Sequence, residues 1–91
     1  MPGPTAPPLF DDLPFSPAAE RNRQPILDTL RPLLADTGRA LEIASGTGQH
    51  VTWFAQHLPG WRWQPSDLTD DLFPAITARV AAAGLSSVQA P

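Results

Sequence analysis

Ile26, Leu27, Leu30, Leu33 and Leu34 recur at helical spacing and predict a first helix. Ser16-Pro17 opens it, with serine at the cap and proline at the first helical position. Pro25 interrupts or restarts this helix, because an interior proline loses a hydrogen bond and crowds the preceding turn. Pro32 kinks it, and Asp36-Thr37-Gly38 ends it with Gly38 as the C-cap. The short apolar run from Arg39 to Ala44 predicts a buried strand, followed by the turn Ser45-Gly46-Thr47-Gly48. Val51, Phe54, Ala55 and Leu58 share one face of a helix from Gln49 to Leu58, which Pro59-Gly60 stops. Trp61 to Gln64 alternates with period two, as a strand does, and Pro65 ends it. Asp70 or Asp71 caps a last helix bearing Leu72, Phe73, Ile76 and Val80, with Pro74 in its first turn and Gly84 at its close. Leu85 to Pro91 reads as the approach to a third strand.

Strand–helix–strand units of this length make parallel, right-handed crossovers. The predicted class is therefore α/β, the N-terminal part of a Rossmann-like parallel sheet with flanking helices, holding two strands and the start of a third. Six of the 12 prolines lie in the first seventeen residues (Pro2, Pro4, Pro7, Pro8, Pro14 and Pro17). Residues 1–15 are accordingly expected to form a proline-rich flexible arm, and residues 16–91 the N-terminal half of the domain.

Composition narrows the partners. The chain has 91 residues, a net charge of −3 and six scattered arginines with no lysine, which argues against nucleic acid as a main partner. Cysteine is absent, removing disulfides, thiolate zinc sites and a cysteine nucleophile, and fitting a reducing, cytoplasmic setting. No apolar run approaches the ~18 residues of a membrane span, and the start lacks the basic and apolar regions of a secretory signal.

The chemistry concentrates in Leu41 to His50. A glycine-rich turn between a strand and its helix lets a ligand approach the backbone and points the helix N-terminus at it. Asp67 lies 19 residues beyond Gly48 (67 − 48), at the end of the second strand, where such folds hydrogen-bond ribose hydroxyls. The dinucleotide pattern G-x-G-x-x-G lacks its third glycine here, because Gly46-Thr47-Gly48 continues Gln49-His50-Val51. Glu42 also precedes the turn, and a carboxylate there would repel a pyrophosphate. A ligand with a sulfonium and an ammonium group and no phosphate fits better, which describes S-adenosylmethionine. Plainer readings stand beside these: Gly46 and Gly48 as turn glycines, Glu42 as a carboxylate bonded to backbone amides, Asp67 as a helix cap. His50 and His57 share a helix face about 10.5 Å apart along the axis, too far for one metal, and His50 lies nearer the turn. Trp61 and Trp63 point to one side of their strand as core residues. No Ser/His/Asp or Cys/His nucleophile set is evident.

Glu42-x-Ala44-x-Gly46-x-Gly48 resembles the first motif of class I S-adenosylmethionine-dependent methyltransferases, acidic-x-G-x-G-x-G, with Ala44 in place of the first glycine. Asp67 matches that family's acidic residue after the second strand. Phe15-Ser-Pro-Ala-Ala-Glu-Arg-Asn22, Glu42 to His50 and Gln64-Pro-Ser-Asp67 are together similar to a narrower, poorly characterised group of methyltransferase-like proteins of bacteria and animals. The resemblance covers roughly residues 15–91 and implies S-adenosylmethionine as cofactor, with Glu42, Ala44, Ser45, Gly46, Gly48, His50 and Asp67 around it. Full-length members are longer and carry a complete sheet, so this chain is expected to be a truncated segment, not competent alone. The general base and the methyl acceptor stay unassigned. An exposed sheet edge would invite self-association. A dinucleotide-binding unit and a non-catalytic interaction module are the alternatives.

Overall fold

The computed structural model describes residues 13–91. The first twelve residues of the expected arm lie outside that range. Its last three do not behave as an arm: Leu13 is buried, and the Pro14 carbonyl accepts a hydrogen bond from Arg79. The elements run α1 (Pro17–Leu30), β1 (Gly38–Glu42), α2 (Gln49–His57), β2 (Trp61–Pro65) and α3 (Phe73–Ala82).

Ser16 caps α1, its hydroxyl accepting from the Ala19 amide at 3.2 Å, and Pro17 follows at the position where a missing N–H costs nothing. Pro25 neither breaks nor restarts the helix. It sits on the exposed side, where only one ladder donor is lost. The helix ends at Leu30, earlier than the apolar spacing predicts, because Pro32 has no N–H to extend the ladder. Gly38 is consequently the first residue of β1 and not a C-cap. Its lack of a side chain has another cause: a Cβ there would stand 2.5–2.8 Å from the Trp61 indole, its neighbour across the sheet.

β1 and β2 pair in parallel, from Gly38 opposite Trp61 to Glu42 opposite Pro65. β1 stops two residues short of the expected Ala44, whose φ of 58° turns the chain out of the extended conformation. On the far side of β2, Trp63 bonds to both Ser87 and Gln89, and Val88 makes a parallel bridge to Trp63. That isolated bridge lies where the approach to a third strand is expected, and the sheet itself has two strands among the described residues. α3 begins without a side-chain cap: the Asp70 carbonyl, not an aspartate carboxylate, accepts from the Phe73 amide at 3.1 Å. Pro74 needs no acceptor, which lightens the demand for a cap.

Leu27 of α1, Val51, Phe54 and Ala55 of α2, Trp63 of β2, Ile76 of α3 and Val88 form the core. Each large apolar side chain removed from water contributes about 1.5–3 kcal/mol. Ala40 and Trp61 pack against the same cluster, so all three helices serve one face of the sheet. Arg39, Leu41 and Arg62 alternate onto the other face and are exposed. The chain is thus a small α/β unit with a parallel sheet covered on one side. Among the described residues, no helix is long and apolar enough to cross a membrane.

Candidate ligand site at the strand ends

Both strands deliver their chemistry to the same edge. The turn after β1 is built from backbone that favours glycine: Ala44, Gly46 and Gly48 have φ of 58°, 55° and 80°. Ala44 occupies the left-handed region despite its Cβ, a strained arrangement for a non-glycine residue. Around Gly46 there is room, with only the Ala44 carbonyl within 4.0 Å of where a Cβ would lie. Gly48 is confined instead, because a Cβ there would meet the Ile76 backbone and side chain at 3.1 Å. One glycine therefore leaves space in front of the turn, and the other lets α3 close against it.

The turn is stitched to the segment after β2. Ser45 and Ser66 exchange hydrogen bonds, amide to carbonyl at 2.7 Å and amide to hydroxyl at 2.9 Å. The Ser66 hydroxyl donates to the Glu42 carbonyl at 2.6 Å, and Gly46 donates its N–H to Asp67 Oδ2 at 2.9 Å. Asp67 Oδ1 accepts from the Leu68 amide at 2.7 Å. The glycine turn and Asp67, each expected at the end of its strand, thus meet directly. Asp67 caps no helix, since α3 starts six residues later.

Glu42 stands at the last position of β1, half-buried. Its Oε1 is buried with no hydrogen-bond partner among the described residues. Burial pushes its carboxyl above the ordinary value; the Ser45 hydroxyl and the His50 ring pull it back, and the Asp67 charge pushes it further up. The buried carboxylate is not bonded out by backbone amides, so the plainer reading of Glu42 does not describe it. The His50 Nε2 lies 3.2 Å from the Ala19 carbonyl, joining α2 to α1, while its ring stands near enough to Glu42 to lower that carboxyl. His57 stacks on Trp53, ring centroids 4.2 Å apart, and Arg23 lies over the same indole.

Two residues at the site escape the sequence reading. Gln49, the first residue of α2, is buried and makes four hydrogen bonds. Its Oε1 accepts from the Ser16 amide at 2.6 Å and the Thr47 hydroxyl at 2.7 Å. Its Nε2 donates to the Ser16 carbonyl at 3.2 Å and to Glu20 at 2.9 Å. Arg79 of α3 is also buried, donating from Nε to the Thr47 carbonyl at 2.9 Å and from its terminal nitrogen to the Pro14 carbonyl. The signal for Arg79 was its spacing: three residues after Ile76, it lies on the apolar face of α3. For Gln49, two residues before the buried stripe of α2 and off its face, no periodic signal exists.

Parallel strands, a glycine turn running into a helix, and two carboxylates at the strand ends define the class: a small α/β unit with a candidate ligand edge. The chain belongs to the family described as protein of unknown function (DUF938), which matches residues 13–91. No solved structure matches the chain.

Proposed function

We propose that the strand-end edge binds S-adenosylmethionine, and that the chain is the cofactor-binding segment of a methyltransferase-like domain of Rossmann-like topology. The observation that carries this reading is the Glu42 carboxylate, whose buried Oε1 lacks a partner among the described residues at the end of β1, the strand that leads into the open turn at Gly46. A buried charge without a partner is costly, and an ammonium group supplied by a ligand would satisfy it. A pyrophosphate would be repelled at the same place, which disfavours a dinucleotide. Asp67 already holds two amides, but a carboxylate has about four lone-pair sites and retains capacity for ribose hydroxyls. Ala44, Ser45, Gly46 and Gly48 shape the turn against which the ligand would lie. His50 stays in the proposed set: its Nε2 faces the Ala19 carbonyl, and its ring stands near enough to Glu42 to lower that carboxyl.

When bound, S-adenosylmethionine supplies an electrophilic methyl group. The residues described here would hold it; they include no assigned base and no acceptor pocket. Calorimetric titration with S-adenosylmethionine and with NAD tests the reading. Binding of the first, weakened by Glu42→Gln, supports it. Tighter binding of NAD, or no loss in Glu42→Gln, overturns it. An interaction module is the second reading, favoured by the exposure of Leu41 on the open sheet face and of Ile43 just beyond it. Failure to bind either nucleoside, together with association through that face, would select it.

A further inference from the structure

Gln49 and Arg79 each touch two places that are distant in sequence. One end of each grips Thr47 in the glycine turn: Gln49 takes the hydroxyl and Arg79 the carbonyl. Each also holds the segment at the start of α1: Gln49 bonds the Ser16 amide through Oε1 and the Ser16 carbonyl and Glu20 through Nε2, and Arg79 donates to the Pro14 carbonyl. The two connectors are only 3% and 5% exposed. Neither half can be released cheaply. If the segment leaves, a buried amide and a buried guanidinium lose partners, at a cost typical of unsatisfied buried polar groups. If the turn changes shape, the same two groups each lose their bond to Thr47. Segment and turn are therefore docked together or disturbed together.

The geometry points to a working role for the segment Pro14–Glu20: it holds the glycine turn in its ligand-ready shape, with Gln49 and Arg79 as the positioning residues. The coupling is reciprocal, as any linkage is, so a ligand that orders the turn also tightens the segment. The identity of that ligand rests on the reading above; the coupling itself does not.

Amide exchange by NMR on the full chain tests it, with Ser16 and Ala19 reporting on the segment, Gly46 and Gly48 on the turn, and Trp63 and Gln89 on the sheet. Arg79→Met should speed exchange at both segment and turn, about tenfold, and leave the sheet unchanged. Arg79→Lys, which keeps a donor, should restore part of the protection. Glu20→Ala guards against a misfolded Arg79 variant, because Glu20 is half-buried and no hydrogen bond joins it to the turn. It should still speed exchange at Gly46 and Gly48 several-fold. Acceleration confined to one of the two regions, or spread evenly through the sheet, would overturn the coupling. Added S-adenosylmethionine should slow exchange at Ser16 and Ala19 in the unmodified chain. If it binds and leaves those amides unchanged, the coupling is wrong. If it does not bind at all, the ligand assignment fails, and the variants' exchange rates still decide the coupling.

Discussion

Gly46 donates its backbone N–H to Asp67 Oδ2 at 2.9 Å, joining positions 21 residues apart and fastening the turn after β1 to the end of β2. Asp67 therefore has structural work to do before any ligand arrives. Asp67→Ala removes the acceptor for both Gly46 and Leu68. We expect it to lower the stability of the ligand-free chain by about 1–2 kcal/mol, or roughly 5–10 °C in melting temperature. Asp67→Asn keeps one acceptor oxygen and should lose less. S-adenosylmethionine affinity should fall in the alanine variant by about 1–3 kcal/mol. Thermal melts and titrations of the three proteins check this. Unchanged melting in Asp67→Ala would mean that the link contributes nothing to the fold.

Glu42 carries a pH signature of defined sign. Burial raises its carboxyl above the ordinary 4.5, so the folded chain holds that proton more tightly than the unfolded chain. Its contribution to stability is then lost as pH climbs from the ordinary value through the raised one, and stays lost above it. Glu42→Gln removes that penalty. The variant should be more stable than the parent at neutral pH, by on the order of 1 kcal/mol, with the advantage vanishing in acid below the unfolded carboxyl's range. It should also bind S-adenosylmethionine more weakly, trading function for stability. Denaturant unfolding at several pH values gives the first result and titration the second. A glutamine variant with no pH-dependent gain would show that the carboxylate is already compensated.

Ala44 and Gly48 differ in what their positive φ costs. Ala44 holds φ 58° with a Cβ in place, so Ala44→Gly relieves left-handed strain and should stabilise by up to about 1 kcal/mol after the entropy loss of glycine is subtracted. Gly48→Ala incurs that strain at φ 80° and also drives a methyl to 3.1 Å from Ile76. It should destabilise by about 1–3 kcal/mol. Equilibrium unfolding of the two variants should move in opposite directions. A shift in the same direction would mean that backbone strain is not what separates these positions.

Much of this was legible in the residues. The five elements, the parallel pairing and the placement of the glycine turn and Asp67 at the strand ends follow from spacing, because a period of two or 3.6 residues and a glycine turn are local signals. The end of α1 was misread because Leu33 and Leu34 continue the apolar spacing, while the hydrogen-bond ladder stops at Pro32. Gly38 looked like a cap because a steric requirement set by Trp61, its partner across the sheet, leaves no trace in local sequence. The contacts of Gln49, Arg79 and His50 with other elements join residues 29 to 65 positions apart, and no periodicity encodes those. The first twelve residues of the expected arm lie outside the described part of the chain.

Leu41, on the sheet face that no described helix covers, is 64% exposed, and Ile43, just past the end of β1, is 79% exposed. Parallel sheets ordinarily bury both faces, and the outer edge of β1 has no partner strand among the described residues. Arg39 and Arg62 stand directly opposite each other on the same face, where like charges repel. This face should drive concentration-dependent association of the purified chain, weakened by the two guanidiniums. Sedimentation velocity across a wide range of concentration should show it. Leu41→Lys should shift the chain toward monomer, adding a third charge and removing an apolar contact while leaving the strand-end site intact. Added salt should have the opposite effect on the parent, because screening relieves the Arg39–Arg62 repulsion. A monomer at every concentration and salt level would mean that the exposed pair of apolar side chains is tolerated and that this face draws no second copy.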